Sequence, residues 1–437
     1  MSIKIDPISC LNGDVLAPPS KSYSHRVFIA ASLAEGVSII KNPLIVGDVG
    51  ITVEILEKLG IKILNVGNTT YIVERTEKAF KKCDEILDCK NSGTSIRIFS
   101  VLSLLIEGGL SLTGEFLKRN RPIISLLDSL NNIGAKYKMS ENVLSITRIN
   151  RKCDIIKIPG NISSQFITSL LMVCPLLKCV NYDHITIEVN TPVRSYPYIE
   201  ITKHVLESFG INIIEVLNHE KFIRYYISIP QNYRTQSFEI PGDFSSIANI
   251  IAATILSPED SKVIIYNLNF EKPQGDKRIL EILTKMGANI QIEENSLTVY
   301  GNRNKFVLRG LDIDVSQNPD LFPILAIIGA FAEGKTTLYN TSTLKFKESD
   351  RIETVASQLT KMGVKVKQGE DTLTIYKCKK LKGSIINHEQ DHRIAMAFIV
   401  ASLYADSSSQ INKIEIINDS YPNFVNDLNK LGANIKV

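Results

Sequence analysis

The chain has 437 residues, 44% of them hydrophobic and 22% charged, and carries a net charge of +4. Its length predicts two or three domains, each with its own core. The small charge, without a basic run or basic–aromatic alternation, excludes a footprint for duplex nucleic acid.

In chain order, helices apolar nearly all round are predicted at 24–34, 94–106, 164–177, 245–256, 319–332 and 391–404. Such helices must be buried. Each is followed by a strand, at 37–41, 109–113, 184–189, 262–267, 335–340 and 413–417. After the strand comes a second helix of a different kind. Its clearest copy precedes Gly287: Leu280, Ile282, Leu283 and Met286 recur at helical spacing with Glu281, Thr284 and Lys285 polar between them. That is an amphipathic helix, stopped by a residue that accepts the left-handed cap conformation. Residues 288–293 and 297–299 then alternate apolar and polar about a Glu294-Asn295-Ser296 turn, which reads as a hairpin.

The phrase occurs six times, with its glycine at Gly60, Gly134, Gly210, Gly287, Gly363 and Gly432, about 69 to 77 residues apart. Solenoid layers repeat at about 20 to 50 residues. Each copy is therefore a small folding unit of the form βαβαββ. Six of them make an α/β protein, with three units per domain giving two pseudo-threefold domains. The candidate boundaries are Pro18-Pro19 and the stretch 237–242.

Seven cysteines, Cys10, Cys83, Cys89, Cys153, Cys174, Cys179 and Cys378, show no CxxC spacing. They read as reduced thiols of a cytoplasmic protein, not as a disulfide frame or zinc site. Neither a signal peptide nor a membrane span is expected. The N-terminal stretch has no long apolar core, and residues 166–180 are short and carry Pro175 and Lys178.

Chemistry collects where the buried helices begin. Their starts read PPSKSYSHR (18–26), NSGTSIR (91–97), GNISSQF (160–166), PGDFSSIAN (241–249), SQNPDLF (316–322) and EQDHRIAM (389–396). Helix capping explains the Ser, Asp and Asn residues, and explains the fourth start completely. It does not explain Lys21, Arg26, Arg97 or Arg393, because a cation in a first turn opposes the helix dipole. An anion held between the cation and the free backbone N–H groups resolves that conflict. Connections add further charge: Lys118, Arg119 and Arg121; Arg194, Ser195 and Tyr198; Lys345, Lys347, Glu348, Asp350 and Arg351. The expectation is a cleft between domains for one or two small, multiply anionic ligands. Asp320 and Glu348, acids among these cations, are candidates for proton transfer.

The stretches SKSYSHR, NSGTSIR, RPI, SSQFITSLLM, PYIEIT, FKESDRIE and DHRIAMAF closely resemble those of the EPSP synthase family, from about Leu16 to Leu431. The resemblance implies a two-domain inside-out α/β barrel, with residues 1–17 plus 241–437 as one domain and 18–240 as the other. The active site would lie in the cleft between them. It implies transfer of the enolpyruvyl group of phosphoenolpyruvate to the 5-hydroxyl of shikimate 3-phosphate, with release of phosphate and no cofactor or metal. By family motif, Lys21, Ser22, Arg26, Ser163, Ser164, Gln165, Ser195, Tyr198, Asp320 and Lys347 would hold shikimate 3-phosphate. Lys21, Gly93, Arg121, Gln165, Arg351 and Arg393 would hold phosphoenolpyruvate. Asp320 would be the base for the 5-hydroxyl, and Glu348, with Lys21 nearby, would move a proton at the methylene carbon. The family's inhibitor glyphosate would share the phosphoenolpyruvate site, where Gly93 leaves room. A monomer is expected, with no nucleic-acid or membrane partner.

Two positions depart from the family pattern. Asp419 stands where many members have a lysine, and Ile98 where many have proline. The rival reading is the sibling transferase acting on UDP-N-acetylglucosamine. It typically has Lys-Asn where this chain has Lys21-Ser22, and a loop cysteine where residues 114–121 have none. A non-catalytic scaffold of similar repeats is opposed by the paired acids Asp320 and Glu348.

Overall fold

The computed structural model describes every residue except 68, 78, 79, 151, 152, 154 and 218–221. The chain forms two compact units, Met1–Ser20 with Pro241–Val437, and Lys21–Ile240. The second unit holds α1 (Lys21–Leu33), α2 (Gly47–Lys58), α3 (Gly93–Leu102), α4 (Glu115–Lys118), α5 (Ile124–Leu130), α6 (Ser164–Val173) and α7 (Pro197–Ser208). The first unit holds α8 (Phe244–Ile255), α9 (Arg278–Met286), α10 (Phe322–Phe331), α11 (Arg351–Lys361), α12 (His392–Ser402) and α13 (Phe424–Lys430).

The six predicted apolar helices are α1, α3, α6, α8, α10 and α12. Every residue of α8 and α12 is buried. Each unit has its own hydrophobic core: one draws only on residues from Ile3 to Ala17 and from Phe244 onward, the other only on Tyr23 to Ile240. Burying one such Leu, Ile or Phe side chain stabilises by about 1.5–3 kcal/mol, so each core sustains its unit.

The described residues form six four-stranded sheets of one pattern. In one of them, Ile156–Ile158 runs parallel to His184–Val189, which pairs antiparallel with Ile223–Ser228, which pairs with Ile214–Leu217. The parallel pair flanks the buried helix α6, as a crossover connection requires. Ile185, Ile187 and Val189 point inward at period two.

Two sheets exchange their first strand, which the repeat alone does not reveal. Asn12–Leu16 precedes α1 in sequence but pairs with Ser261–Tyr266 of the fourth repeat. Ser237–Glu239 precedes α8 but pairs with Gly36–Lys41 of the first repeat. Where the chain changes units, Ser20 N donates to Pro241 O at 2.9 Å and Asp243 N donates to Pro18 O at 2.8 Å. The sixth sheet likewise takes Ser2–Asp6 as a strand beside Ser409–Asn412 and Asn434–Lys436.

The strand expected at 413–417 is not there. The strand is Ser409–Asn412; Lys413 then turns left-handed (φ 55°), and Ile414–Asp419 is a 3-10 turn. Buried Ile414 and Ile417 are three apart, the 3-10 period, and that spacing won over apparent alternation. The cysteine expectation also fails. Cys153 and Cys179 form a disulfide, with Cα atoms 5.8 Å apart. The other five cysteines are unpaired. The pairing escapes sequence reading because folding, not spacing, creates it: Arg148 Nη2 donates to Lys178 O at 3.3 Å and ties the two segments together.

The six repeat glycines all have positive φ, from +79° to +115°. At Gly287 (φ +107°), which caps α9, a Cβ would also sit 3.1 Å from Val307 O. Gly287→Ala is expected to lower stability by about 1–2 kcal/mol. Urea unfolding measures this, and an unchanged midpoint would show that the cap relaxes without cost.

Candidate active site

The first unit gathers acids around one cation. Asp320 lies on the 3-10 turn Pro319–Leu321 before α10, Glu348 just before α11, and Asp391 at the cap of α12. Arg351, at the first turn of α11, is 1% exposed. Its Nε donates to Asp391 Oδ2 at 2.8 Å, Nη1 to Asp320 Oδ1 at 2.8 Å, and Nη2 to Glu348 Oε2 at 2.9 Å. Arg393 Nη2 donates to the other Asp320 oxygen at 3.3 Å, and its Nη1 to Ser246 Oγ at 3.3 Å. Burial pushes the Asp320 carboxyl up. Arg393, Arg351 and Lys347 outweigh burial and hold it well below the usual carboxylate range. Asp320 is thus ionised at neutral pH and able to accept a proton.

Sequence reasoning missed Asp391. It stands in the EQDHR start, yet its signal is that of an ordinary cap, and it does cap α12 by accepting from Arg393 N at 2.9 Å. The same carboxylate also fixes Arg351. Asp419 ends the 3-10 turn beside this network: Ser246 Oγ donates to the carbonyl of the next residue, Ser420, at 3.3 Å. The fourth helix start is indeed a cap, Asp243 accepting from Ser245 N and Ser246 N.

The second unit gathers cations. Arg26, 3% exposed, donates to Ser22 O at 2.8 Å, Thr202 Oγ1 at 2.8 Å, Tyr198 O at 3.1 Å and Thr168 Oγ1 at 3.3 Å. All four partners are neutral. Burial pushes Arg26 down to about 10, so it keeps its charge at neutral pH. A buried cation without a carboxylate is costly unless an anion comes to it. Ser195, next to this cluster, holds a left-handed φ of 57° at the entry to α7, a conformation disfavoured for serine. Lys21, in the first turn of α1, pairs with Asp48 at 3.2 Å, both side chains under one-fifth exposed. Asp48 is a second residue that sequence reading missed, because an acid in the first turn of α2 looks like a dipole partner.

A second cation cluster surrounds Gly93, the first residue of α3. Arg97 donates to Pro122 O at 2.7 Å and to Gln165 Oε1; Gln165 Nε2 donates to Thr94 Oγ1 at 2.9 Å. Arg121 donates to Asn91 O at 2.9 Å. Both guanidinium groups stack on Phe116, at 4.9 and 4.8 Å. Arg97 is 4% exposed and so does not simply point to solvent. Lys118 and Arg119 do lie at the surface, paired with Glu115 on α4. Ile98 faces the core, 1% exposed. Ser163 caps α6 by accepting from Gln165 N at 3.3 Å, which sets Ser164 and Gln165 in its first turn.

The predicted residues therefore fall into three clusters: Asp320, Lys347, Glu348, Arg351 and Arg393; Lys21, Ser22, Arg26, Ser195 and Tyr198; and Gly93, Arg121, Ser163, Ser164 and Gln165. The first is in one unit and the other two are in the second.

Residues 5–428 match the family described as EPSP synthase (3-phosphoshikimate 1-carboxyvinyltransferase). The chain is 38% identical to the 3-phosphoshikimate 1-carboxyvinyltransferase of Methanococcus aeolicus over 100% of both chains. It shares its fold with EPSP synthase from Acinetobacter baumannii, at a TM-score of 0.80 with 24% identity over 100% of both chains. It also shares it with the enolpyruvyl transferase NikO from Streptomyces tendae, at 0.79 with 17% identity over 100% of this chain and 98% of that one. The fold alone is thus common to enolpyruvyl transferases, and the sequence match selects among them, away from the UDP-N-acetylglucosamine alternative. The chain belongs to the EPSP synthase family.

Proposed function

We propose that Asp320, Glu348 and the cations around them transfer the enolpyruvyl group of phosphoenolpyruvate to the 5-hydroxyl of shikimate 3-phosphate. The observation that carries this is the Arg351 clamp, where one buried guanidinium holds two carboxylates on adjacent nitrogens, at 2.8 and 2.9 Å. Lys21, Ser22, Arg26, Ser163, Ser164, Gln165, Ser195, Tyr198, Asp320 and Lys347 bind shikimate 3-phosphate. Lys21, Gly93, Arg121, Gln165, Arg351 and Arg393 bind phosphoenolpyruvate. Each set draws residues from both units. The enzyme is read as a cytoplasmic monomer.

In this reading, phosphoenolpyruvate draws Arg351 onto its own anionic groups. Glu348 loses its guanidinium partner and gains proton affinity. Asp320 takes the 5-hydroxyl proton as that oxygen bonds to the enol carbon, and Glu348 gives its proton to the methylene. In the second step Glu348 takes a proton back from the methyl group, the carbon–phosphate oxygen bond breaks, and Asp320 returns its proton to the leaving phosphate. Arg121, Arg351 and Arg393 stabilise the charge that develops there. Phosphate release measured with both substrates tests the reading. Release should require both, and UDP-N-acetylglucosamine should not replace shikimate 3-phosphate; release with the sugar nucleotide instead would overturn it.

Two variants probe the binding assignments. Lys21→Met should weaken both ligands by roughly 1.5–3 kcal/mol each, the range of a charge-assisted hydrogen bond. Calorimetric titration measures this, and a loss confined to phosphoenolpyruvate would remove Lys21 from the shikimate phosphate. At Gly93 a Cβ would lie 3.1 Å from Arg97 Nη1, 3.2 Å from Arg121 Nη2 and 3.3 Å from Gln165 Oε1. Gly93→Ala must displace these flexible tips while the fold survives. KM for phosphoenolpyruvate, and the inhibition constant of glyphosate, should rise about tenfold, or about 1.4 kcal/mol. Unchanged values would place the ligand elsewhere.

A further inference from the structure

Asp320 faces Arg351, Arg393 and Lys347, and three cations make a carboxylate a weak base. A general base works best when its proton affinity lies near the operating pH. Something in the first unit must oppose those cations if Asp320 is to take a hydroxyl proton, and a second acid is buried behind it. Asp276 is 3% exposed, in the Gln274-Gly275-Asp276 turn that leads into α9. Ser245 Oγ, in the first turn of α8, donates to its Oδ2 at 2.5 Å, and Asn318 Nδ2 donates to its Oδ1 at 3.0 Å.

Asn318 begins the turn that carries Asp320. Leu321 N donates to Asn318 O at 3.1 Å, so the backbone of residue 318 closes that turn. Its side-chain oxygen accepts from Arg278 Nη1 at 3.2 Å, which fixes the amide with its nitrogen toward Asp276. Gln274 secures the other end: its Nε2 donates to Gly242 O at 2.8 Å, and its Oε1 accepts from Phe244 N at 3.3 Å. The network is buried and each of these side chains is hydrogen-bonded, the condition under which a polar cluster specifies one geometry.

We infer that Asp276 is a positioning residue for this transfer: through Asn318 it fixes the turn that presents Asp320, and its negative charge offsets the cations that face that base. This rests on the reading of Asp320 as the base. Among the described residues, the charged groups facing Asp276 include Asp320 before α10, Arg393 from α12, and Arg278 through Asn318. Lys277 turns away to the carbonyls of Phe270 and Lys272. Burial, then the charge of Asp320, pushes the Asp276 carboxyl up to about 6, against its hydrogen bonds to Ser245 and Asn318 and the charge of Arg393. Asp276 is therefore mostly ionised at pH 7 and neutral below about pH 6, where its support of Asp320 is lost.

The test is the pH profile of kcat and KM for the wild type, Asp276→Asn and Ser245→Ala. Wild-type kcat should fall through an acid limb near pH 6. Asp276→Asn keeps a side chain of the same shape without the charge; its kcat at pH 8 should drop about 10- to 100-fold, the usual cost of losing an orienting partner. Its KM values should change little, and the limb near pH 6 should vanish. Ser245→Ala keeps the charge but removes a hydrogen bond to the ionised form, so the limb should move to higher pH. An Asp276→Asn profile superimposable on wild type would overturn the inference. So would an unmoved limb in Ser245→Ala, which decides the matter if the first variant does not fold. A wild type that releases no phosphate would instead refute the proposed function, so the two failures are distinct.

Discussion

Asp320→Asn is expected to lower kcat by about two to four orders of magnitude, the range for a general acid or base. The amide oxygen still accepts from Arg351, as the carboxylate does at 2.8 Å, so the turn keeps its place. What it lacks is a site for the 5-hydroxyl proton. Shikimate 3-phosphate affinity should fall far less than kcat. Glu348→Gln should behave likewise, because its oxygen can keep the Arg351 contact now at 2.9 Å without carrying a transferable proton. Single-turnover kinetics beside substrate titration separates the two effects. Turnover like wild type in either variant would remove that residue from the chemistry.

Arg351→Met should be the most destabilising single change in the site, at about 3–5 kcal/mol, because it leaves buried carboxylates without their counter-charge. Asp391 is fully buried, and Asp320 and Glu348 are only about one-fifth exposed. Phosphoenolpyruvate binding should be lost as well. The pH dependence has a definite sign. In the wild type the Asp320 carboxyl lies well below its ordinary value, so its contribution is present above about pH 4 and is lost only as pH falls through the folded value. The variant lacks that contribution. The stability gap should therefore be widest at neutral pH and narrow in acid, as urea unfolding at both ends would show. A gap independent of pH would mean that Arg351 stabilises by packing.

The repeat was legible because it is local. Six glycines that must turn left-handed and six helices apolar on every side leave marks within one unit of chain, and the six positive φ angles follow. The exchanged strands Asn12–Leu16 and Ser237–Glu239 were not legible, because each pairs with a distant segment, Ser261–Tyr266 and Gly36–Lys41 respectively. The Cys153–Cys179 pair, only 26 residues apart, was hidden for another reason: no spacing motif marks it, and the fold alone brings the two thiols together. At the site, the cations stood out because they oppose helix dipoles, whereas Asp48, Asp276 and Asp391 did not, since an acid at a helix start is ordinary. Their further partners, Lys21, Asn318 and Arg351, come from other parts of the fold. Charge pattern thus reveals where an anion binds, and only the assembled network reveals which acids hold the machinery in place.

The central claim is that two acids handle protons at different atoms, one at the 5-hydroxyl and one at the methylene carbon. The most direct measurement is turnover in deuterated water, with the product examined by mass spectrometry and NMR. A Glu348 carboxyl exchanged with solvent delivers deuterium to the methylene, which becomes a methyl group before a hydrogen is taken back. Deuterium should therefore appear in the enolpyruvyl methylene of the product. Product formed at the normal rate without deuterium would show that this carbon is never protonated from an exchangeable group, and would contradict the account.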